Sequence, residues 1–234
     1  MKLTYLLIDI SSILVPLIFT FHPKINFNKE YKYFWPANLT VALFFIIWDV
    51  LFTNLKVWGF NPKYITGLSV ANLPIEEVLF FICIPYACVF SYHCIRKFYL
   101  KNNTFLLESS VTPVLILLLL SLATTYIDKL YTSVTFIILA GSLFYLKYIL
   151  KVKWLSGFYI TYSFLLLPFL LFNGILTGTF LKEPIVWYDD ANTIGIRILT
   201  IPFEDIFYGM LLVLLNITLY HLLKDNALRT IENR

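Results

Sequence analysis

The sequence predicts an all-α polytopic membrane protein of about seven transmembrane helices, built from two parallel three-helix repeats joined by a linking helix. Three observations carry that prediction. Hydrophobic residues make up 59% of the 234 and charged residues only 14%, a balance that soluble domains do not show. Apolar windows of about 20 residues, enough to cross a bilayer, recur along the chain. The stretch Leu73-Pro74-Ile75-Glu76-Glu77 returns as Ile201-Pro202-Phe203-Glu204-Asp205, and each copy opens a further apolar run.

In order, the expected spans are residues 3–21, 34–53, 74–95, 111–127, 131–150, 158–179 and 202–223. The first lacks a basic leader and a small-residue cleavage site, so it reads as a retained helix. It also contains Asp9, for which structural hydrogen bonding and a functional role are equally open. The second holds Asp49 deep between Trp48 and Val50, where an isolated charge is costly and the group must pair or titrate. Tyr31, Tyr33, Phe34 and Trp35 at its start suit an interfacial aromatic belt. Cys83, Cys88 and Cys94 fall in or at the end of the third without metal or redox spacing, which leaves helix packing. The fourth is short and joins the fifth by a few residues around Asp128-Lys129, so six helices with a re-entrant segment is the competing count.

The duplication extends beyond the acidic motif. Asp49-x-x-x-Thr53 matches Asn173-x-x-x-Thr177, Trp58 matches Trp187, Gly67 matches Gly195, and Phe81 matches Tyr208 more loosely, all in the same order. The expected division is residues 1–110 for the first copy, 111–130 for the linking helix and 131–234 for the second. Leu181-Lys182-Glu183-Pro184 absorbs a small change of offset.

A single linking helix makes the copies parallel, so both acidic motifs face one side of the membrane. The loops around 22–33, 96–110 and 147–156, with the tail from 224, hold twelve Lys and Arg; the N-terminus and the remaining loops hold six. The positive-inside rule then places the C-terminus in the cytoplasm, the N-terminus outside and the motifs toward the outer leaflet; the expected location is a bacterial inner membrane. The net charge of +4 is this loop bias and calls for no nucleic-acid partner.

Pro74 and Pro202 stand where a helix is expected to begin, because their fixed φ suits a first turn. The acids then lie at a helix N-terminus, where the dipole favours them, and at a membrane edge, where ionisable groups default to function. A simple helix cap accounts for one acid but not for a repeated doublet. Acid pairs, many aromatic residues and no nucleotide or dinucleotide motif suit protonation of an alkene. That reaction needs a carboxylic acid beside an apolar substrate, a group to take a proton back, and π faces to hold the carbocation between those steps. Adjacent acids do not both ionise cheaply in a low dielectric, so one keeps its proton. Trp58, Phe80, Phe81, Tyr86, Trp187, Phe203, Phe207 and Tyr208 are the candidate faces, although plain packing competes for each. Neither cofactor nor metal is expected.

Asn72 through Phe81, followed by Pro85-Tyr86, and Arg197 through Tyr208 strongly resemble the two Pro-x-Glu-(Glu/Asp) motifs of the heterodimer-type lycopene cyclases. That group includes paired small bacterial subunits, fused single-chain forms, and the cyclase part of fungal fusions with phytoene synthase. The resemblance covers nearly the whole chain from Trp48 to Tyr220. It implies a fused two-repeat cyclase that closes the ends of lycopene into β-ionone rings without net redox change. The implied partners are the carotenoid substrate, membrane lipids and other carotenoid-pathway enzymes, and with the chain ending near Arg234 no phytoene synthase domain is expected to follow. Glu76, Glu77, Glu204 and Asp205 become the catalytic candidates, with Asp49, Trp58, Phe80, Phe81, Asn173, Trp187, Phe207 and Tyr208 around the substrate. His221 follows Tyr220 where the family pattern leads one to expect Glu, so no role is carried to that position. A cyclase acting on a longer C50 carotenoid is a variant of the same reading.

Rival classes differ in definite features. A proton-coupled transporter also uses parallel repeats and intramembrane acids. A retinal receptor is disfavoured because the span from Pro202 to Leu223 contains no Lys, and a prenyltransferase needs more carboxylates than the Asp49 and Asn173 motifs hold. The two halves are expected to build one shared site, since three helices are too few to enclose a long polyene.

Overall fold

The computed structural model describes residues 2–100 and 107–232, with side chains described as far as residue 227. Lys101, Arg234 and the side chain of Arg229, which count toward the loop charge bias, lie outside the described residues. Within them the chain forms seven α-helices: α1 Thr4–Thr20, α2 Tyr31–Asn54, α3 Ile75–Phe98, α4 Leu107–Thr125, α5 Leu130–Phe144, α6 Leu155–Leu176 and α7 Phe203–Glu232. A π-helical turn, Tyr145–Ile149, extends α5. Six helical segments are long and apolar enough to cross a membrane: Phe27–Asn54, Ile75–Phe98, Leu107–Thr125, Leu130–Ile149, Leu155–Leu176 and Phe203–Ala227.

The short helix is not the one expected. α4 runs 19 residues because Leu107-Glu108-Ser109-Ser110 wind into its first turn, with Glu108 at the favourable end of the dipole and its N–H donated to Ser156 Oγ at 3.1 Å. α1 instead has 17 residues, about 25 Å of helix against a hydrocarbon core of about 30 Å.

The helices are supplemented by six short strands in three antiparallel pairs. β1 (Trp58–Phe60) pairs with β4 (Val186–Tyr188), β2 (Ser69–Val70) with β3 (Leu73–Pro74), and β5 (Arg197–Ile198) with β6 (Ile201–Pro202). The last two pairs are the same hairpin at an offset of 128 residues, with registers Ser69↔Pro74 and Arg197↔Pro202. Gly67 and Gly195 take φ of 91° and 82°, and the turn residues Ala71 and Leu199 take 55° and 57°. Ile75 N–H donates to Leu68 O at 2.9 Å, and Phe203 N–H to Ile196 O at 3.0 Å. These hairpins correct the expected helix starts. Pro74 and Pro202 close the hairpins, where a missing N–H costs nothing, and α3 and α7 begin one residue later.

By packing the chain falls into two compact units. The first comprises Met1–Leu51, Pro62–Cys94 and Leu212–Arg234; the second comprises Phe52–Asn61 and Ile95–Leu211. This division follows packing, whereas the duplication follows sequence, and the two do not coincide: the end of α7 belongs to the first unit, and β1 to the second.

In the first unit Phe27, Phe34, Phe45, Phe81 and Tyr86 are fully buried. Asn38 Nδ2 donates to Phe81 O and to Asn216 Oδ1, each at 3.2 Å, tying α2 to α3 and α7. His221 lies buried 2.9 Å from the Tyr92 hydroxyl. Nearby, Tyr220 and Lys224 both donate to Glu30. The second unit packs α4 on α5 and α6 around Leu119, Phe136, Leu139 and Phe158, with the Thr112 and Tyr159 hydroxyls 2.8 Å apart.

Candidate functional site

Each unit holds one acid pair, built by the same local device. The hairpin delivers the chain into the first turn of α3 or α7 with both acids turned inward. Glu76 and Glu204 are fully buried, and Glu77 and Asp205 nearly so, although all four stand in the first turn of a helix long and apolar enough to cross a membrane.

In the first unit Glu76 Oε1 accepts the Thr66 N–H at 2.6 Å, and its other oxygen, Oε2, has no hydrogen-bond partner. Glu77 Oε2 accepts the Tyr5 hydroxyl of α1 at 2.5 Å. Asp49 is buried on α2, within electrostatic range of Tyr5. The Phe80 ring meets Tyr5 edge-on at 6.5 Å, while Phe81 packs on Phe45 at 5.7 Å, and Phe45 stacks on Trp48.

In the second unit Glu204 Oε1 accepts the Ile194 N–H at 2.7 Å and the Thr132 hydroxyl at 2.5 Å, and Oε2 again has no partner. Asp205 is held by three donors. Its Oδ1 accepts Tyr131 at 2.6 Å, and its Oδ2 accepts Asn173 Nδ2 at 2.8 Å and the Tyr188 hydroxyl at 3.0 Å. An aromatic cage surrounds these donors: Trp58 lies 5.1 Å from Tyr131 and 6.1 Å from both Tyr188 and Tyr208, and Tyr131 stacks on Tyr188 at 5.9 Å. Phe207 packs on Phe136 at 5.0 Å.

The correspondence is positional as well as chemical. Thr66 and Ile194, which supply the backbone N–H, are 128 residues apart, as are the acids. The tyrosine bound to the second acid stands at the second position of α1 and of α5. The two copies differ at one matched position: Asn173 donates to Asp205, whereas its match, Asp49, is a further acid.

Of the residues read from sequence, the structure brings Trp58, Asn173 and Tyr208 to the neighbourhood of Asp205, and Phe80 to the neighbourhood of Glu77. Trp187 is 40% exposed and lies over Gly59, where an added Cβ would clash with the indole. Its neighbour Tyr188 reaches the acid. Sequence reasoning missed Tyr5, Tyr131, Thr132 and Tyr188. Lys2-Leu3-Thr4-Tyr5 and Lys129-Leu130-Tyr131, alike but for the extra Thr4, were the available signal for the first two.

The sequence profile of the family described as lycopene cyclase matches residues 2–95 and 128–223, two segments that each carry one acid pair and its tyrosine. A curated relative, the bifunctional lycopene cyclase/phytoene synthase of Aspergillus niger, is 30% identical over 71 residues. Those residues are 28% of this chain and 12% of the fungal protein, so the chain spans a small part of that relative's length. No solved structure matches. With the profile covering most of the chain in two segments, and the same buried acid device found in both, the chain belongs to the lycopene cyclase family.

Proposed function

We propose that the protein is a lycopene β-cyclase of the heterodimer type in fused single-chain form, converting lycopene end groups to β-ionone rings by acid catalysis without redox change. The observation that carries the reading is the twice-built glutamate. Glu76 and Glu204 each fix one carboxyl oxygen on a backbone N–H and leave the other buried and unpartnered. The fixed oxygen sets the direction of the group, and the second oxygen is where a proton can be carried and delivered.

In the proposed reaction a glutamate O–H breaks as a C2–H bond forms on the end group, leaving a cation at C1. The C5–C6 double bond attacks C1, forming the C1–C6 bond that closes the ring and leaving the cation at C5, and loss of the C6 proton to a carboxylate restores the C5–C6 double bond. Glu77 and Asp205 tune or receive protons. Trp58, Phe80, Phe81, Phe207 and Tyr208 supply faces to the cationic stages, each worth about 0.5–2 kcal/mol where desolvated. Asp49, Asn173 and Trp187 complete the substrate surroundings.

Parallel repeats in residues 1–110 and 131–234, the linking helix between them, α1 as a seventh span, and a cytoplasmic C-terminus in a bacterial inner membrane belong to the same reading. They rest on the order of spans and the loop charges. Expression in a lycopene-accumulating bacterium, followed by pigment chromatography, tests the function. Ringed products support the cyclase, and their identity separates β from ε or γ rings. Unchanged lycopene beside inserted protein sinks it, and proton flux without carotenoid conversion would favour the transporter.

A further inference from the structure

The first-copy site holds one more acid than its motif and the Asp49 match account for. Asp9 is 1% exposed on α1, and neither of its carboxyl oxygens has a hydrogen-bond partner. It stands one helical turn after Tyr5, on the same face, and Tyr5 is bonded to Glu77. Its carboxyl lies within electrostatic range of those of Glu77 and Glu76. Asp9, Glu77 and Asp49 thus lie within electrostatic range of one tyrosine, Tyr5, and Glu76 within range of Asp9, inside a single unit.

The second copy shows what the position looks like without this device. Four residues after Tyr131 stands Thr135, fully buried. There the second acid, Asp205, is saturated by three donors, whereas Asp9 accepts none. A buried carboxyl with no donor at either oxygen is poorly suited to hold a fixed negative charge and well suited to take up and pass on a proton.

We propose that Asp9 is a third proton-carrying carboxyl of the first-copy site, exchanging a proton with Glu77 and Glu76 between turnovers. This rests on the cyclase reading above. Ring closure takes a proton from one carboxyl to C2 and delivers the C6 proton to another, so each turnover leaves one carboxyl short of a proton and one with a proton to lose. Transfer through Asp9 breaks one O–H bond and forms another, and needs neither oxidant nor reductant. Asp9 acts through the glutamates, and its effect therefore falls on turnover and not on substrate binding.

The test uses purified full-length protein in lycopene-loaded liposomes, with initial rates followed by chromatography. Wild-type protein that forms no ring refutes the cyclase reading itself. If the wild type is active, Asp9→Asn is expected to lower kcat by about 10²-fold with KM for lycopene unchanged. Asp9→Ala should regain rate on addition of formate, which a packing role would not produce. Should Asp9→Asn fail to insert, Asp9→Thr installs the residue type that the second copy carries and is expected to show the same loss. A kcat within twofold of wild type for whichever variant inserts, or a loss in Asp9→Ala that formate does not relieve, overturns the proposal.

Discussion

At the scale of single residues, the four motif acids are not equivalent, and their hydrogen bonds order them. Glu76 and Glu204 each keep an oxygen without a partner, whereas Asp205 spends both oxygens on three donors. Replacing Glu76 or Glu204 by Gln preserves shape and removes the transferable proton. Each change is expected to cut ring formation by at least about 10²-fold in the liposome assay while insertion is unchanged. Near-normal output from both would mark these glutamates as structural caps. Asp205→Asn should cost less activity and more stability, because its amide would present donors to Tyr131, Asn173 or Tyr188. Tyr131→Phe leaves Asp205 two donors and should lower stability by about 0.5–1.5 kcal/mol, readable as an earlier thermal unfolding in detergent.

At the scale of elements, the hairpins β2–β3 and β5–β6 set the acids, since they deliver the backbone N–H of Thr66 and of Ile194 to the glutamates. Gly67 and Gly195 lie at positive φ with nothing near a would-be Cβ, so substitution there meets backbone strain and no clash. Gly67→Ala and Gly195→Ala are each expected to destabilise by about 1–2 kcal/mol, equally within error, and thermal unfolding of the two variants checks both size and equality. Helix positions were legible in the sequence because hydropathy depends on composition alone, and the acid pairs were legible because they recur. The tyrosines were not, as 16 are spread through the chain and the partners of Tyr5 and Tyr131 lie more than 70 residues away. The backbone donors could not be read at all, since an N–H carries no side-chain signature. Trp187 was read from its match to Trp58, and alternation along β4 turns its neighbour Tyr188 toward the acid, which the match did not show.

At the scale of the whole molecule, the proposed orientation follows from four crossings, by α3, α4, α5 and α6, between the first motif and the second. Cysteine-accessibility mapping is expected to place residues 60–70 and 188–195 on one side of the membrane, and opposite sides would overturn the parallel repeat. The central claim is that a membrane protein of this family closes rings with its own carboxyl groups and no redox step. It is tested most directly by purified protein in lycopene-loaded liposomes, without added reductant or oxidant, read by chromatography with mass spectrometry. The expected result is loss of lycopene and the appearance of ringed carotenoid of unchanged mass, abolished by Glu76→Gln. Unchanged lycopene beside inserted protein, a product of altered mass, or full conversion by the Glu76→Gln protein would contradict it.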